Sequence, residues 1–231
     1  MHQIDKIYTG YPFYGVPKIT HQLKNDGVII NHKRVHRLMR VMGIQAIFPK
    51  KNMSRADKNH ISFPYLLKNI VINRADQVWG TDITYIKLKK DWLYLVAIID
   101  WFSRYVISWN LSDTLAMDFC LETLEQALKQ NIPEIHNSDQ GSQFTSAEYT
   151  NILQAKKIKI SMDGKGRCFD NIFTERLWRT VKYEEVYLKD YQSPKEARQS
   201  LSEYFTFYNR KRLHQSLNYQ TPEKIYFAKI N

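Results

Sequence analysis

Three apolar, strand-like runs follow one another almost without a break, at residues 77–86, 92–100 and 105–111. They are rich in Val, Ile, Tyr and Trp. Only short turns around Lys89-Lys90-Asp91 and Ser103-Arg104 part them. Turns that short leave no room for a crossover helix, so the runs must pair antiparallel as a meander. The pattern then changes period. A helix is predicted at 115–130, where Met117, Cys120, Leu121, Leu124, Ala127 and Leu128 share one face. A short strand follows at 133–138. A helix at 146–155 is capped by Ser146 and carries Glu148 in its first turn. Residues 157–162 alternate as a fifth strand. A loop with Gly164 and Gly166 leads to a helix at 171–185, and a last helix spans 193–209 with Ala197, Leu201, Tyr204, Phe205 and Tyr208 as its buried stripe. The order βββαβαβα predicts an α/β fold, a mixed five-stranded sheet flanked by helices.

The 231 residues suffice for one large domain and a small module. No apolar run is long enough to span a membrane, and the first ten residues lack the apolar centre of a signal peptide. Two cysteines, Cys120 and Cys168, are too few for a disulfide scaffold or a cysteine zinc site. A cytoplasmic protein with reduced thiols is expected. Charge is uneven: residues 1–74 hold 13 basic and 3 acidic side chains, whereas 75–231 hold 21 and 20. A basic front on a near-neutral body suggests a polyanion-binding module joined to something else, although a solvated basic surface accounts for charge alone.

The front divides into a module at 1–45 and a polar, basic linker at 46–74, ahead of a body at 75–231. In the module a first helix is expected at 17–24, with Pro17 in its first turn and Asn25-Asp26-Gly27 ending it. Asn31 caps a second helix at 32–42, which Gly43 ends. Val35, Leu38, Met39 and Met42 form its inward stripe, while Lys33, His36, Arg37 and Arg40 repeat that spacing on another face, widened by Arg34. Helix, turn and basic helix is the layout of a major-groove reader. An ordinary amphipathic helix with a wet basic face is the alternative, and the lack of any acid on that face favours DNA.

Three carboxylates stand out in the body. Asp82 lies inside the first strand, where an acid is costly unless paired or bound to metal. Asp139 ends the fourth strand beside Gly141, where α/β folds place ligands. Glu175 lies one turn into a helix, with 35 residues between it and Asp139. Brought together, they would make an all-oxygen site for Mg²⁺, and two ions about 4 Å apart could activate an oxygen nucleophile and stabilise the leaving oxygen of a phosphodiester. Spacing alone does not establish this, because with 23 acids in 231 positions about two acid pairs share any given spacing by chance. A caged Asp82, a turn Asp139 and a surface Glu175 remain the alternative. Arg179 and Lys182 follow Glu175 at i+4 and i+7, placed to meet phosphates or to stand as plain surface charges. Trp178, His136, His214 and Cys120 read as structural, and Cys168 as incidental.

The strings Gln77-Val78-Trp79-Gly80-Thr81-Asp82-Ile83-Thr84-Tyr85-Ile86, Ser138-Asp139-Gln140-Gly141-Ser142-Gln143-Phe144 and Asp170-Asn171-Ile172-Phe173-Thr174-Glu175-Arg176-Leu177-Trp178 resemble the three catalytic blocks of bacterial insertion-sequence transposases, within the retroviral-integrase superfamily. The chain is most similar to the second-reading-frame product of the family founded on insertion sequence three. Tyr208-Asn209-Arg210-Lys211-Arg212, His214-Gln215-Ser216-Leu217 and Thr221-Pro222 resemble its C-terminal signature. Tyr14-Gly15 and Lys33-Arg34-Val35-His36-Arg37-Leu38-Met39 resemble its helix-turn-helix front. The chain departs from the family pattern in three places. Val16-Pro17-Lys18 stand where two Arg are frequent, Asn137 where His is frequent, and Leu213 where Pro is frequent.

The resemblance implies an RNase H-like core with Asp82, Asp139 and Glu175 as a DDE triad, and Mg²⁺ as the working ion with Mn²⁺ as substitute. It implies strand cleavage and strand transfer on double-stranded DNA, at element ends and target, by a homo-oligomer on DNA. Lys33, Arg34, Arg37, Arg40, Arg179 and Lys182 are the expected DNA contacts. Such elements usually fuse this product to an upstream-frame protein, so a component or a non-catalytic DNA-binding regulator stands beside the complete enzyme. An RNase H-like nuclease that cuts without joining is the other alternative.

Overall fold

The computed structural model describes residues 1–47, 63–89, 91–164 and 171–228. Lys90, Cys168 and much of the 46–74 segment, including its basic run, lie outside the described residues. The chain divides into two compact units, 1–58 and 59–231.

The first unit has three described helices, α1 (His2–Gly10), α2 (Val16–Asn25) and α3 (His32–Val41). The sequence expectation held only the last two. The helix α1 escapes it because Ile4 and Ile7 are nearly its whole inward face, too short a run to show a period. Ile4 is buried with Ile19, Leu23, Val35 and Met39, and Leu38 and Met42 pack around them. Pro17 sits in the first turn of α2. The Asn31 side chain accepts the Arg34 N–H at 2.9 Å, which satisfies one orphan donor of α3. Gly43, at φ +66°, ends that helix in a conformation that suits glycine.

The second unit is built on β1 (Val78–Lys87), β2 (Trp92–Asp100), β3 (Val106–Ser112), β4 (Ile135–Ser138) and β5 (Lys159–Met162). Their order is β3-β2-β1-β4-β5. The meander pairs antiparallel, β4 lies parallel to β1, and β5 lies parallel to β4. Strand alternation splits the core in two. Val78, Leu95, Ala97 and Ile99 face α6 (Ile172–Glu184) and α7 (Pro194–Arg210), among Leu177, Val181, Leu201 and Phe205. Trp79, Val96 and Ile98 face α4 (Asp118–Leu128) and α5 (Ala147–Ala155), among Phe119, Leu124, Tyr149 and Leu153. Cys120 is buried there, and burial pushes its thiol up to about 12, so it is inert packing. The Ser146 side chain accepts the Tyr149 N–H at 3.2 Å and caps α5.

Residues 63–74, read from the sequence as part of a linker, lie on the core. Leu67 is buried. The Leu66 N–H donates to Ser161 Oγ at 3.0 Å, and the Met162 N–H donates to Pro64 O at 3.2 Å. The expected last helix is followed by a short one, α8 (Pro222–Tyr226). Its Tyr226 hydroxyl donates to Asp76 Oδ1 at 2.7 Å, and its ring stacks on Tyr105 at 4.6 Å. Five residues are too few to show a period, which is why pattern misses it. The C-terminal signature residues prove architectural. Asn209 clamps the backbone N–H and C=O of Val106 at 2.9 Å each, and Arg212 forks onto Glu184 at 2.8 and 2.6 Å. No helix among the described residues is long and apolar enough to cross a membrane.

Gly80 lets α6 approach β1. A Cβ there would overlap Trp101 Nε1 and lie 2.9 Å from Thr174 Oγ1. Gly80→Ala is therefore expected to cost about 3 kcal/mol, as overpacking against a fixed ring does. The check is urea unfolding followed by tryptophan fluorescence, and an unchanged midpoint would contradict this packing.

Candidate active site

Asp82 lies mid-strand in β1, opposite Ala97 of β2. It is half-buried. Its Oδ2 accepts the Trp178 indole N–H at 2.9 Å, across 96 residues of chain. Burial, the largest cause, pushes the Asp82 carboxyl up to about 6. Hydrogen bonds from Trp178 and the Ile83 N–H pull it back, and the nearby Asp139 and Glu175 push it further up.

Asp139 follows β4, the strand that pairs directly with β1. Its Oδ1 accepts the Gly141 N–H at 2.9 Å. A Cβ at Gly141 would lie 2.8 Å from that oxygen, so glycine is what allows this turn to hold the carboxylate. Asn137, at the position where the family frequently has His, is buried and donates to Asp163 Oδ1 at 2.9 Å.

Glu175 is exposed on the first turn of α6. That turn is pinned from several sides. Phe173 meets the Trp101 ring edge-on at 5.1 Å, and the Arg104 guanidinium lies 3.7 Å from the Phe173 centroid. Thr174 Oγ1 donates to Asn171 Oδ1 at 2.5 Å. Gly80, Trp101, Arg104 and Phe173 were not singled out as functional from the sequence. A glycine inside an apolar strand is the one signal that could have found them.

The three carboxylates thus come from neighbouring strands and from the helix that Trp178 ties to β1. Asp139 and Glu175 each lie within electrostatic reach of Asp82. No group of three His, Cys, Asp or Glu among the described residues could hold a metal ion as it stands. The chemistry of the donors is nonetheless that of a hard divalent cation: all are oxygens, one is kept from ionising easily by its surroundings, and none takes part in an ion pair among the described residues.

The other expected site residues are surface groups. Lys33, Arg34, Arg37 and Arg40 are all exposed on α3. Arg179 is exposed on α6, 5.8 Å from the Tyr183 ring centroid, and Lys182 is half-buried. Trp178 is buried, as expected of a packing residue, but its hydrogen bond to Asp82 was not foreseen. Burial pushes the His136 imidazole down to about 3 and His214 down to about 4. Both stay neutral near pH 7 and make poor general bases. His136 Nε2 meets the Tyr149 hydroxyl at 3.0 Å.

The Asp82 shift has a measurable consequence. Its folded pKa, about 6, lies above the ordinary 3.8, so between those values the folded chain holds a proton that the unfolded chain has lost. Stability conferred at this position is therefore lost as pH rises through that window. Asp82→Asn should melt higher than the parent at pH 7.5, and the gap should close as pH falls towards 4. Thermal unfolding across that range checks this; a variant less stable than the parent at pH 7.5 would contradict it.

Residues 72–168 and 156–222 match the Integrase core domain family, and residues 1–52 match the HTH-like domain family. The transposase for insertion sequence element IS904 of Lactococcus lactis subsp. lactis is 35% identical over 226 residues, covering 94% of this chain and 88% of that protein. Transposase InsF for insertion sequence IS3A of Escherichia coli is 30% identical over 218 residues, covering 91% and 76%. Among solved structures, the magnesium-bound catalytic core of HTLV-2 integrase, in dimeric form, aligns with a TM-score of 0.54 at 21% identity, covering 68% of this chain and 99% of that one. A chain of the simian T-cell lymphotropic virus intasome in complex with PP2A regulatory subunit B56 gamma aligns with a TM-score of 0.60 at 16% identity, covering 99% and 76%. Sheet order, helical front and these matches agree: the chain belongs to the insertion-sequence transposases that carry an integrase core domain behind an HTH-like domain.

Proposed function

We propose that this chain is a DDE-type DNA transposase subunit, catalysing Mg²⁺-dependent strand cleavage and strand transfer at insertion-sequence ends. The observation that supports the reading is that Asp139, just after β4, and Glu175, on α6, both lie close enough to Asp82 of β1 to raise its carboxyl. The carboxylates of Asp82, Asp139 and Glu175 would hold the metal, two ions per site. When bound, Mg²⁺ supplies activation of the attacking oxygen and stabilisation of the leaving one, and Mn²⁺ would substitute. In cleavage, a water oxygen bonds to phosphorus as the P–O3′ bond breaks, leaving a 3′-hydroxyl and a 5′-phosphate. In joining, that 3′-hydroxyl oxygen attacks a second phosphodiester and displaces another 3′-oxygen. The indole of Trp178 holds Asp82 in place, and the Gly141 N–H holds Asp139.

Residues 1–45 act as the DNA-binding module through Lys33, Arg34, Arg37 and Arg40, residues 46–74 join it to the core, and 75–231 carry the chemistry. Arg179 and Lys182 meet phosphates beside Glu175. The working form is a homo-oligomer on double-stranded DNA, in keeping with the dimeric viral core compared above, with an upstream-frame protein as a further partner.

The test is a cleavage and joining assay on labelled duplexes from the DNA flanking the gene, with Mg²⁺ or Mn²⁺. Metal-dependent cutting and joining, abolished in Glu175→Gln with DNA binding kept, is the expected result. Cutting without joining would point to a nuclease, and binding without chemistry to a regulator or an incomplete component. A second expectation concerns the front module. Replacing Lys33, Arg37 and Arg40 with Gln should weaken binding across sequences and flatten the log–log salt slope by about 0.9 for each phosphate that is no longer neutralised. An unchanged slope in a salt titration would remove α3 from the DNA interface.

A further inference from the structure

The outer face of α6 does not end at Glu175. Arg179 and Tyr183 follow at i+4 and i+8, on the same stripe. At about 1.5 Å per residue, Tyr183 stands roughly 12 Å along the helix from the acid. Tyr183 and Tyr187 are each 64% exposed, and their rings meet edge-on at 5.3 Å and 73°. Tyr187 opens into a shallow cleft at the end of β1 that is also lined by Lys87, Lys89, Lys189 and one acid, Asp190. Lys87 and Lys89 are exposed, and neither they nor Arg179 takes part in an ion pair among the described residues. The fold therefore pairs no acid with these three charges among the described residues, although Arg179 lies 5.8 Å from the Tyr183 ring centroid. It also keeps two large rings in water beside the charge, where single exposed aromatics would be unremarkable but a pair within a cationic track is not.

We infer that this face is a binding track for unpaired DNA: Arg179, Lys87 and Lys89 follow the phosphates, and the rings of Tyr183 and Tyr187 stack on bases of a strand passing the catalytic carboxylates. Cations beside aromatic platforms bind single strands because every base offers a π-face, whereas in a duplex those faces are hidden. The excess of cations favours a nucleic acid over a second copy of this basic chain. The rings, not the hydroxyls, carry the stacking. This inference rests on the transposase reading and names a part of the substrate that the triad and the front helix do not contact.

The test compares the full chain on a blunt duplex and on the same duplex carrying a five-nucleotide unpaired tail with 2-aminopurine in it, at fixed salt. The parent should prefer the tailed DNA and change the fluorophore's emission on binding. Tyr183→Ala with Tyr187→Ala should weaken tailed binding roughly tenfold or more while leaving blunt binding unchanged. The paired Phe replacements should keep the preference. A parent that binds both DNAs equally overturns the track alone, as does an Ala pair that loses both to the same extent. An Ala pair that keeps its tail preference but no longer self-associates in sedimentation assigns the face to a second copy. A parent that binds neither DNA contradicts the transposase reading itself.

Discussion

One hydrogen bond ties the candidate site together. The Trp178 indole N–H reaches Asp82 Oδ2 at 2.9 Å and so joins helix α6 to the middle of strand β1. An acid in that strand is expensive: burial is the largest of the causes that, with Asp139 and Glu175 nearby, leave its carboxyl pushed up to about 6. The indole offsets part of that cost. Because Glu175 lies one turn before Trp178 on the same helix, the bond that steadies Asp82 also sets where Glu175 stands. Gly80 makes the arrangement possible, since any side chain there would collide with Trp101 beneath α6.

Parallel pairing brings in the third carboxylate. β4 lies against β1, with Gly80 opposite Asn137, so Asp139 leaves the sheet near the level of Asp82. The Gly141 N–H then fixes its side chain. Much of the rest of the body is support. Asn209 docks α7 on β3, and Arg212 anchors the segment after α7 to Glu184 at the end of α6. The C-terminal signature thus reads as part of the frame that carries Glu175. A site made of mutually repelling acids needs such a frame, because the acids themselves oppose convergence.

The parts of the fold legible in the sequence were those written in local patterns. The meander, α7 and the caps at Asn31 and Ser146 each depend on residues close in the chain. The helices α1 and α8 were missed because too few inward positions exist to reveal a period. The packing of 63–74 on the core depends on partners about 95 residues away, such as Ser161. The same divide runs through the site. Asp82, Asp139 and Glu175 were visible as acids in telling local contexts. The roles of Trp178, Trp101, Arg104 and Phe173 were not, because each is defined by what the fold brings to it.

The central claim is that three carboxylates of this frame form one divalent-cation site. The most direct measurement is anomalous diffraction from crystals of the full chain soaked in Mn²⁺. The account predicts an anomalous peak bounded by the carboxylates of Asp82 and Asp139, with Glu175 at its edge, and its loss in Asp82→Asn. Manganese bound elsewhere, with no peak among these three side chains, would contradict it.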